Sequence, residues 1–403
     1  MCKQINRYIC KVITQNALRK MRNDNKTLVM RKIDNPFLLY GYEGPEYFCD
    51  RKKESEDIIS SLTNGCNLTL MSPRRYGKTG LIRHVFHKIK EMDNDAVCFY
   101  IDIYATNSLY DFVQTFAKAI VGKLDTPLQK AENAITKVFK GSQITMSTDF
   151  MTGLPQVSLS FSPQSSESTL DEIFSYIAQS KRCCYIAFDE FQQVLEYPEK
   201  NVEALLRTHI QTMSNARFIF SGSRLHMMME MFNSPKHPFY RSTEKLSLHT
   251  LDETVYFAFA EDKLREKNVS ISPEVFHDIY DSVDGVTWYI QAVMNRLYRL
   301  SDMEVTRKKL DEVVRQIILS EEEDYKRLFH LLTANQANLL LAIAREGSVA
   351  EPMSGPFISR HQLKTASSVQ RALKYLADEE YVYLSDKGYI VYDRFFGVWL
   401  RGL

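Results

Sequence analysis

Ser72-Pro-Arg-Arg-Tyr-Gly-Lys-Thr79 follows the spacing G-x-x-x-x-G-K-[ST], except that serine stands at the first glycine. A loop of this kind turns back on itself so that successive backbone N–H groups form a concave anion site at a helix N-terminus. Gly77 allows close backbone approach, Lys78 has the reach and charge for β- and γ-phosphates, and Thr79 offers a hydroxyl to Mg2+. Pro73 fixes φ as the chain turns, and Arg74, Arg75, Tyr76 and Gly80 complete the candidate nucleotide-binding set. Ser72 ends the preceding apolar run, outside the phosphate-facing amides, so a side chain costs little there. A Gly-Lys-Thr tripeptide alone is common; here a strand precedes it and an amphipathic helix follows, as the motif requires.

A second constellation is Cys183-Cys-Tyr-Ile-Ala-Phe-Asp-Glu190, an apolar strand ending in two carboxylates. That pattern suits Asp189 as a Mg2+ partner, direct or through water, and Glu190 as the group that polarises attacking water. A strand with a solvated acidic end is the simpler alternative, and the phosphate loop upstream is what weighs against it. In the third stretch, "FIFSGSRL", Ser221 and Ser223 are candidate polar sensors and Arg224 could meet γ-phosphate charge. Ser223 equally suits a helix cap.

The elements that must position these residues are legible around them. "NLTLMS", "PRRYG" and "KTGLIRHVFHKIKEM" read as strand, turn and helix, and "AVCFYIDIY" (96–104) as a second buried strand, the rhythm of an α/β unit. Helices are expected at about 109–123 and 127–140, followed by a β-hairpin around Thr152-Gly153 with Ile144, Met146, Val157, Leu159 and Phe161 alternating. After a helix at 169–180 the α/β rhythm resumes through 183–191, 201–213 and 217–223, with a short strand "KLSLHTL". Residues 252–318 show helical periodicity only. Near the end, two helices and a strand pair turning at Lys387-Gly388 are similar to a winged helix-turn-helix.

At 403 residues, with 44% hydrophobic and 25% charged content, the chain reads as a soluble protein of two or three domains. Seven scattered cysteines without a C-x-x-C pair argue against a disulfide framework or zinc ribbon and for a reducing compartment. No apolar run reaches membrane-spanning length, and a cytoplasmic location is expected. Residues 1–34 carry nine basic against two acidic residues and read as a dispensable arm. His84 and His87 could bind a metal, though no third ligand is apparent; "HMMMEMF" reads as packing and "SEEEDYKR" as a solvated helix face.

"YFCDRKKESEDI", "SPRRYGKT", "AFDEFQQV", "FIFSGS" and "HPFYRST" together resemble the archaeal-type AAA-like ATPases, relatives of the STAND signalling NTPases. The resemblance runs from about Asn35 onward and extends to "RRYGKT" without the first glycine, a form found in bacterial members. It implies a P-loop NTPase α/β core of the AAA-like, ASCE type with an inserted hairpin, a helical lid and a winged helix domain. It further implies ATP between core and lid, with Cys49 to Arg51 at the adenine end, and makes Arg241 another candidate phosphate sensor. The lid's Gly-x-Pro element falls in "DGVTWYIQ" (284–291), where Thr287 replaces the usual proline.

The expected organisation is a basic arm (1–34), an ATPase core (35–250), a lid (251–322) and a winged helix domain (323–403). The expected function is Mg2+-dependent ATP hydrolysis coupled to the core–lid angle, with Lys78, Glu190, Arg224 and Arg241 as catalytic candidates and Arg51 and Ser221 among those binding nucleotide. The alternatives are a nucleotide switch with negligible turnover and an ATP-gated DNA-binding regulator. ATP or ADP is the expected ligand, a protein or DNA the expected output partner, and oligomerisation on ATP binding is compatible with the class. From His330 onward, eight basic and seven acidic residues leave only a weak footprint for a polyanion.

Overall fold

The computed structural model describes residues 33–124, 138–139, 143–148, 155–300 and 303–403. The basic arm and the helix expected at 127–140 lie almost wholly outside them. The central sheet consists of β1 (Leu68–Met71), β2 (Val97–Asp102), β5 (Cys184–Asp189), β6 (Ala216–Gly222) and β7 (Glu244–Ser247). All its strands are parallel, in the order β2-β5-β6-β1-β7, while β3 (Gln143–Thr148) and β4 (Pro155–Ser160) form the separate antiparallel hairpin. Its turn falls outside the described residues.

Among the described residues six helices accompany this sheet: α1 (Lys52–Thr63), α2 (Lys78–Met92), α3 (Leu109–Ile120), α4 (Ser166–Gln179), α5 (Val202–Thr212) and α6 (Leu225–Asn233). Parallel strands need such crossovers, and β1, β2, β5 and β6 read as largely apolar runs, whereas the edge strand β7, Glu-Lys-Leu-Ser, is mostly exposed. The alternation within each strand sorts side chains to the two sides. Phe188, Phe218 and Phe220 enter a core with Phe112, Phe116 and Phe232, whereas Ala187 and Ile219 pack with Leu70, Leu81 and Val85 beneath α2. Each buried phenylalanine stabilises by roughly 1.5–3 kcal/mol, enough to fix the register at β5 and β6. That register matters, because it levels Asp102 with Asp189 and Met71 with Gly222 at the carboxyl edge of the sheet.

Beyond β7 come α7 (Glu253–Arg265), α8 (Pro273–Ser282), α9 (Thr287–Arg299) and α10 (Arg307–His330). Asp252, Ser272 and Thr306 accept first-turn N–H groups of α7, α8 and α10, so the starts of these three helices are written in cap chemistry. The expectation of helices only is corrected by β8 (Ser270–Ile271) and β9 (Glu304–Val305), a short parallel tie across the segment. Helix α10 passes through residue 322 without a break, its "SEEEDYKR" face carrying Glu322–Lys326 and Asp324–Arg327 pairs at 3.2 and 3.3 Å.

The last elements are α11 (Ala334–Glu346), α12 (Gly355–Arg360), α13 (Ala366–Asp378), β10 (Val382–Ser385), β11 (Gly388–Val391) and α14 (Arg394–Arg401). In the β10–β11 wing, Ser385 pairs with Gly388, so the turn residues are Asp386 and Lys387 and Gly388 already belongs to the strand. Gly388 needs to be glycine, since at φ 114 a Cβ would lie 2.5 Å from the Val349 backbone. Helices α7 to α14 share one apolar cluster, from Tyr256 and Phe276 through Tyr289 and Leu310 to Leu339, Leu376 and Leu400. Among the described residues no helix is long and apolar enough to cross a membrane.

Candidate functional site

Between β1 and α2 the chain reverses within Ser72–Gly77, and two of these residues, Arg75 and Gly77, take left-handed φ values of 73 and 94. A Cβ on Gly77 would meet nothing within 4 Å; the backbone conformation, not crowding, is what calls for glycine. Helix α2 starts on Gly77 without a side-chain cap, leaving its first N–H groups free to face an anion. Ser72 is buried, is not one of the positive-φ residues, and donates its N–H towards Gly222 O at 3.5 Å. It therefore continues β1, and its side chain needs no glycine-like freedom.

Lys78 is buried and its Nζ donates to Ser72 O at 2.7 Å and Pro73 O at 3.1 Å. Burial pulls its pKa below the ordinary lysine range, against the opposing pull of Glu190 and Asp189. The neighbouring carboxylates and the loop's carbonyls thus hold the amine where phosphate charge would be met.

At the end of β5, Asp189 Oδ2 accepts the Thr79 hydroxyl at 2.9 Å and also the Tyr100 hydroxyl, while Oδ1 accepts the Glu190 N–H at 3.1 Å. Glu190 stands at φ 56, and its Oε2 accepts Gln192 Nε2 at 2.6 Å, Ser223 Oγ at 2.7 Å and the Ser223 N–H at 3.3 Å. Of the two readings of Ser223, the helix cap fails: α6 starts on Arg224 with no side-chain cap, and the serine hydroxyl is spent on Glu190. Ser221 lies fully buried on β6 and does not reach the cleft; its Oγ has no hydrogen-bond partner among the described residues.

A cleft of about 420 Å3 is lined by the loop from Arg74 to Gly80, Asp189, Glu190, Arg51 and the first turns of α9. Thr287 and Gln291 stand in its wall, so the lid reaches the cleft without the expected proline. Arg51, at φ 55, is a clamp: its guanidinium donates to Glu54 at 2.7 Å, His249 O at 2.6 Å and Tyr76 O at 3.4 Å. The two candidate sensor arginines are elsewhere. Arg224 is paired with Glu196 and lies 3.7 Å from Glu380 in a separate cavity, and Arg241 is exposed at φ 52 over the Tyr240 ring. Arg224 was a candidate from its place after β6 and Arg241 from the family resemblance, but neighbouring carboxylates and ring faces decide where a guanidinium points. His84, the other unassigned group, stacks on Phe48 at 4.3 Å with its Nδ1 2.9 Å from the Tyr42 hydroxyl.

The middle of the loop is held from the opposite side. Arg74 donates its backbone N–H to Tyr392 Oη at 2.8 Å and pairs with Glu380 at 3.3 Å. Arg75 pairs with Asp393 at 2.8 Å and bonds Tyr289, its guanidinium lying over Trp288 and Tyr289 at 4.5 and 4.7 Å. Its carbonyl accepts the Trp288 N–H at 3.0 Å, one of the orphan donors at the start of α9. Tyr76 meets Tyr383 at 3.1 Å; Tyr383 meets Arg394 at 2.9 Å, and Arg394 Nε lies 3.0 Å from Asp284. These partners, with Tyr100 and Gln192, were missed in the sequence. Only Tyr100 left a signal there: a phenol inside a buried strand needs a hydrogen-bond partner.

Residues 48–293 match a family described as "ATPase domain predominantly from Archaea", and residues 323–402 one described as "Probable winged helix domain". No curated protein matches the chain. Among solved structures, the Walker-type ATPase of Pyrococcus abyssi is similar at 19% identity and TM-score 0.63, covering 91% of this chain and 99% of its own. The ORC2 protein of Aeropyrum pernix, solved in ADPNP–ADP complexes, is similar at 14% identity and TM-score 0.57 over 91% of this chain and 95% of its own. The Aeropyrum pernix ORC1 protein, solved in complex with DNA, stands at 13% and 0.52 over 92% and 97%. At these identities the structural likeness speaks for the fold.

Proposed function

The chain belongs to the family of ATPase domains found predominantly in Archaea, joined here to a winged helix domain, and from that premise we propose that it is a Mg2+-dependent, switch-like ATPase related to the STAND class. The observation that carries this reading is the junction of Thr79 and Asp189 at 2.9 Å, with Lys78 and Glu190 beside it in one cleft. A hydroxyl oxygen against a carboxylate is an all-oxygen donor set, which fits Mg2+, a hard cation that keeps several waters. When bound, Mg2+ supplies neutralisation of phosphate charge. Thr79 and Asp189 would hold it.

The chain's own residues do the rest. Lys78 leaves its carbonyl partners to meet the phosphates, and the free N–H groups at the start of α2 orient them. Glu190, held through Oε2 by Ser223 and Gln192, keeps Oε1 to orient the attacking water. The loop's contacts with Tyr392, Glu380, Asp393 and Trp288 give the nucleotide a route to the winged helix, because the strip that receives phosphate is the strip these residues grip. In Lys78→Ala, Mg-ATP affinity measured by titration should fall at least about tenfold, roughly 1.4 kcal/mol. Unchanged affinity would overturn the reading. Phosphate release should drop in Glu190→Gln; equal release from the two proteins leaves a nucleotide switch with negligible turnover in place of an enzyme.

A further inference from the structure

We propose that Tyr100 is a positioning residue for the cation site, fixing the Asp189 carboxylate through its hydroxyl so that Thr79 and Asp189 present their oxygens together. The inference rests on the reading of Thr79 and Asp189 as the metal-holding pair. On β2, Phe99 and Ile101 enter the phenylalanine-rich core, while Cys98 and Tyr100 face the α2 side of the sheet. The register partner of Tyr100 on β5 is Ala187, and its small side chain leaves the phenol room to reach two residues further, to Asp189.

The ring is fixed before its hydroxyl is used. The Arg83 guanidinium from α2 lies over it at 4.5 Å, and the strand ladder holds the backbone. The phenol oxygen sits 3.5 Å from Thr79 Oγ1 and bonds the same Asp189 Oδ2 that accepts the threonine at 2.9 Å. With Oδ1 taken by the Glu190 N–H at 3.1 Å, three donors define the plane of the carboxylate. Removing the phenol leaves Oδ2 with Thr79 alone and Oδ1 with the Glu190 N–H, so the carboxylate is held by two donors in place of three and turns more easily about its Cβ–Cγ bond. Loss of a partner that orients a metal-holding carboxylate lowers metal affinity about 10- to 100-fold.

Tyr100→Phe keeps the ring and its Arg83 contact and removes only the hydroxyl. Mn2+ binding, followed by electron paramagnetic resonance with a non-hydrolysable ATP analogue, should show half-saturation raised about tenfold. Binding of the same analogue in EDTA should stay within about twofold of wild type and the melting temperature should be unchanged, while Thr79→Ala serves as the reference variant that loses the cation outright. Unchanged Mn2+ half-saturation, or an equal loss in EDTA, overturns the assignment. Wild-type protein that binds the analogue but no Mn2+ overturns both this inference and the metal reading beneath it.

Discussion

Gly77 is held at φ 94 with open space where a Cβ would go, so alanine there meets no atom yet must enter the left-handed region at about 1–2 kcal/mol. Ser72, in the position where the motif has its other glycine, is the opposite case, a buried residue continuing β1. Gly77→Ala should lower the unfolding free energy by that amount in denaturant titrations, whereas Ser72→Gly should leave ATP affinity within about twofold. A large gain in affinity for Ser72→Gly would show that the serine impairs the loop. Lys78, Thr79, Asp189 and Glu190 were legible because each is tied by spacing to a strand end the sequence marks with an apolar run. Tyr392, Glu380 and Asp393 were not, since only tertiary packing brings them to the loop. Arg224 and Arg241 show the limit from the other side: their type suited γ-phosphate, and their partners Glu196 and Tyr240 lie away from the cleft.

The same logic holds for whole elements. Strands β1, β2, β5 and β6 could be read because burial on both faces writes apolar runs, α2 because its apolar residues recur on one side, and caps such as Asp252 and Thr306 fix where helices begin. Helices α12 and α14 left too few turns for a period to show. In α2, His84 carries a consequence of its own: burial against Phe48 lowers its pKa from 6.5 to about 4, with Lys88 and His87 pushing the same way and Glu91 against. With its proton on Nε2 the neutral ring accepts the Tyr42 hydroxyl at Nδ1, and a protonated ring cannot. Since the unfolded chain takes up this proton first, the contribution is full above pH 6.5 and is lost as pH falls toward 4. Thermal melts should therefore show a steeper loss of stability between pH 6.5 and 4 in wild type than in His84→Gln. Parallel curves would assign the acid sensitivity to other groups.

Across the whole molecule, the two kinds of contact around the loop predict how it moves. Helices α7 to α14 are joined by continuous apolar packing, from Tyr256 and Tyr289 to Phe395 and Leu400. Dry packing of that density resists relative motion. The loop is joined to them mainly by hydrogen bonds and ion pairs, the Arg74–Tyr392, Arg74–Glu380, Arg75–Asp393 and Tyr76–Tyr383 contacts. Such pairs exchange for water or phosphate at little net cost, and exposed ones contribute about 0–1 kcal/mol each. Nucleotide arriving at the loop should therefore shift lid and winged helix together against the sheet and leave their mutual arrangement intact. Spin labels at exposed Glu274 on α8 and Lys374 on α13 should keep their separation on adding Mg-ATP, while labels at Lys374 and exposed Lys118 on α3 should change theirs. A change between Glu274 and Lys374 with none between Lys374 and Lys118 would place the hinge inside the apolar cluster and refute the argument from packing.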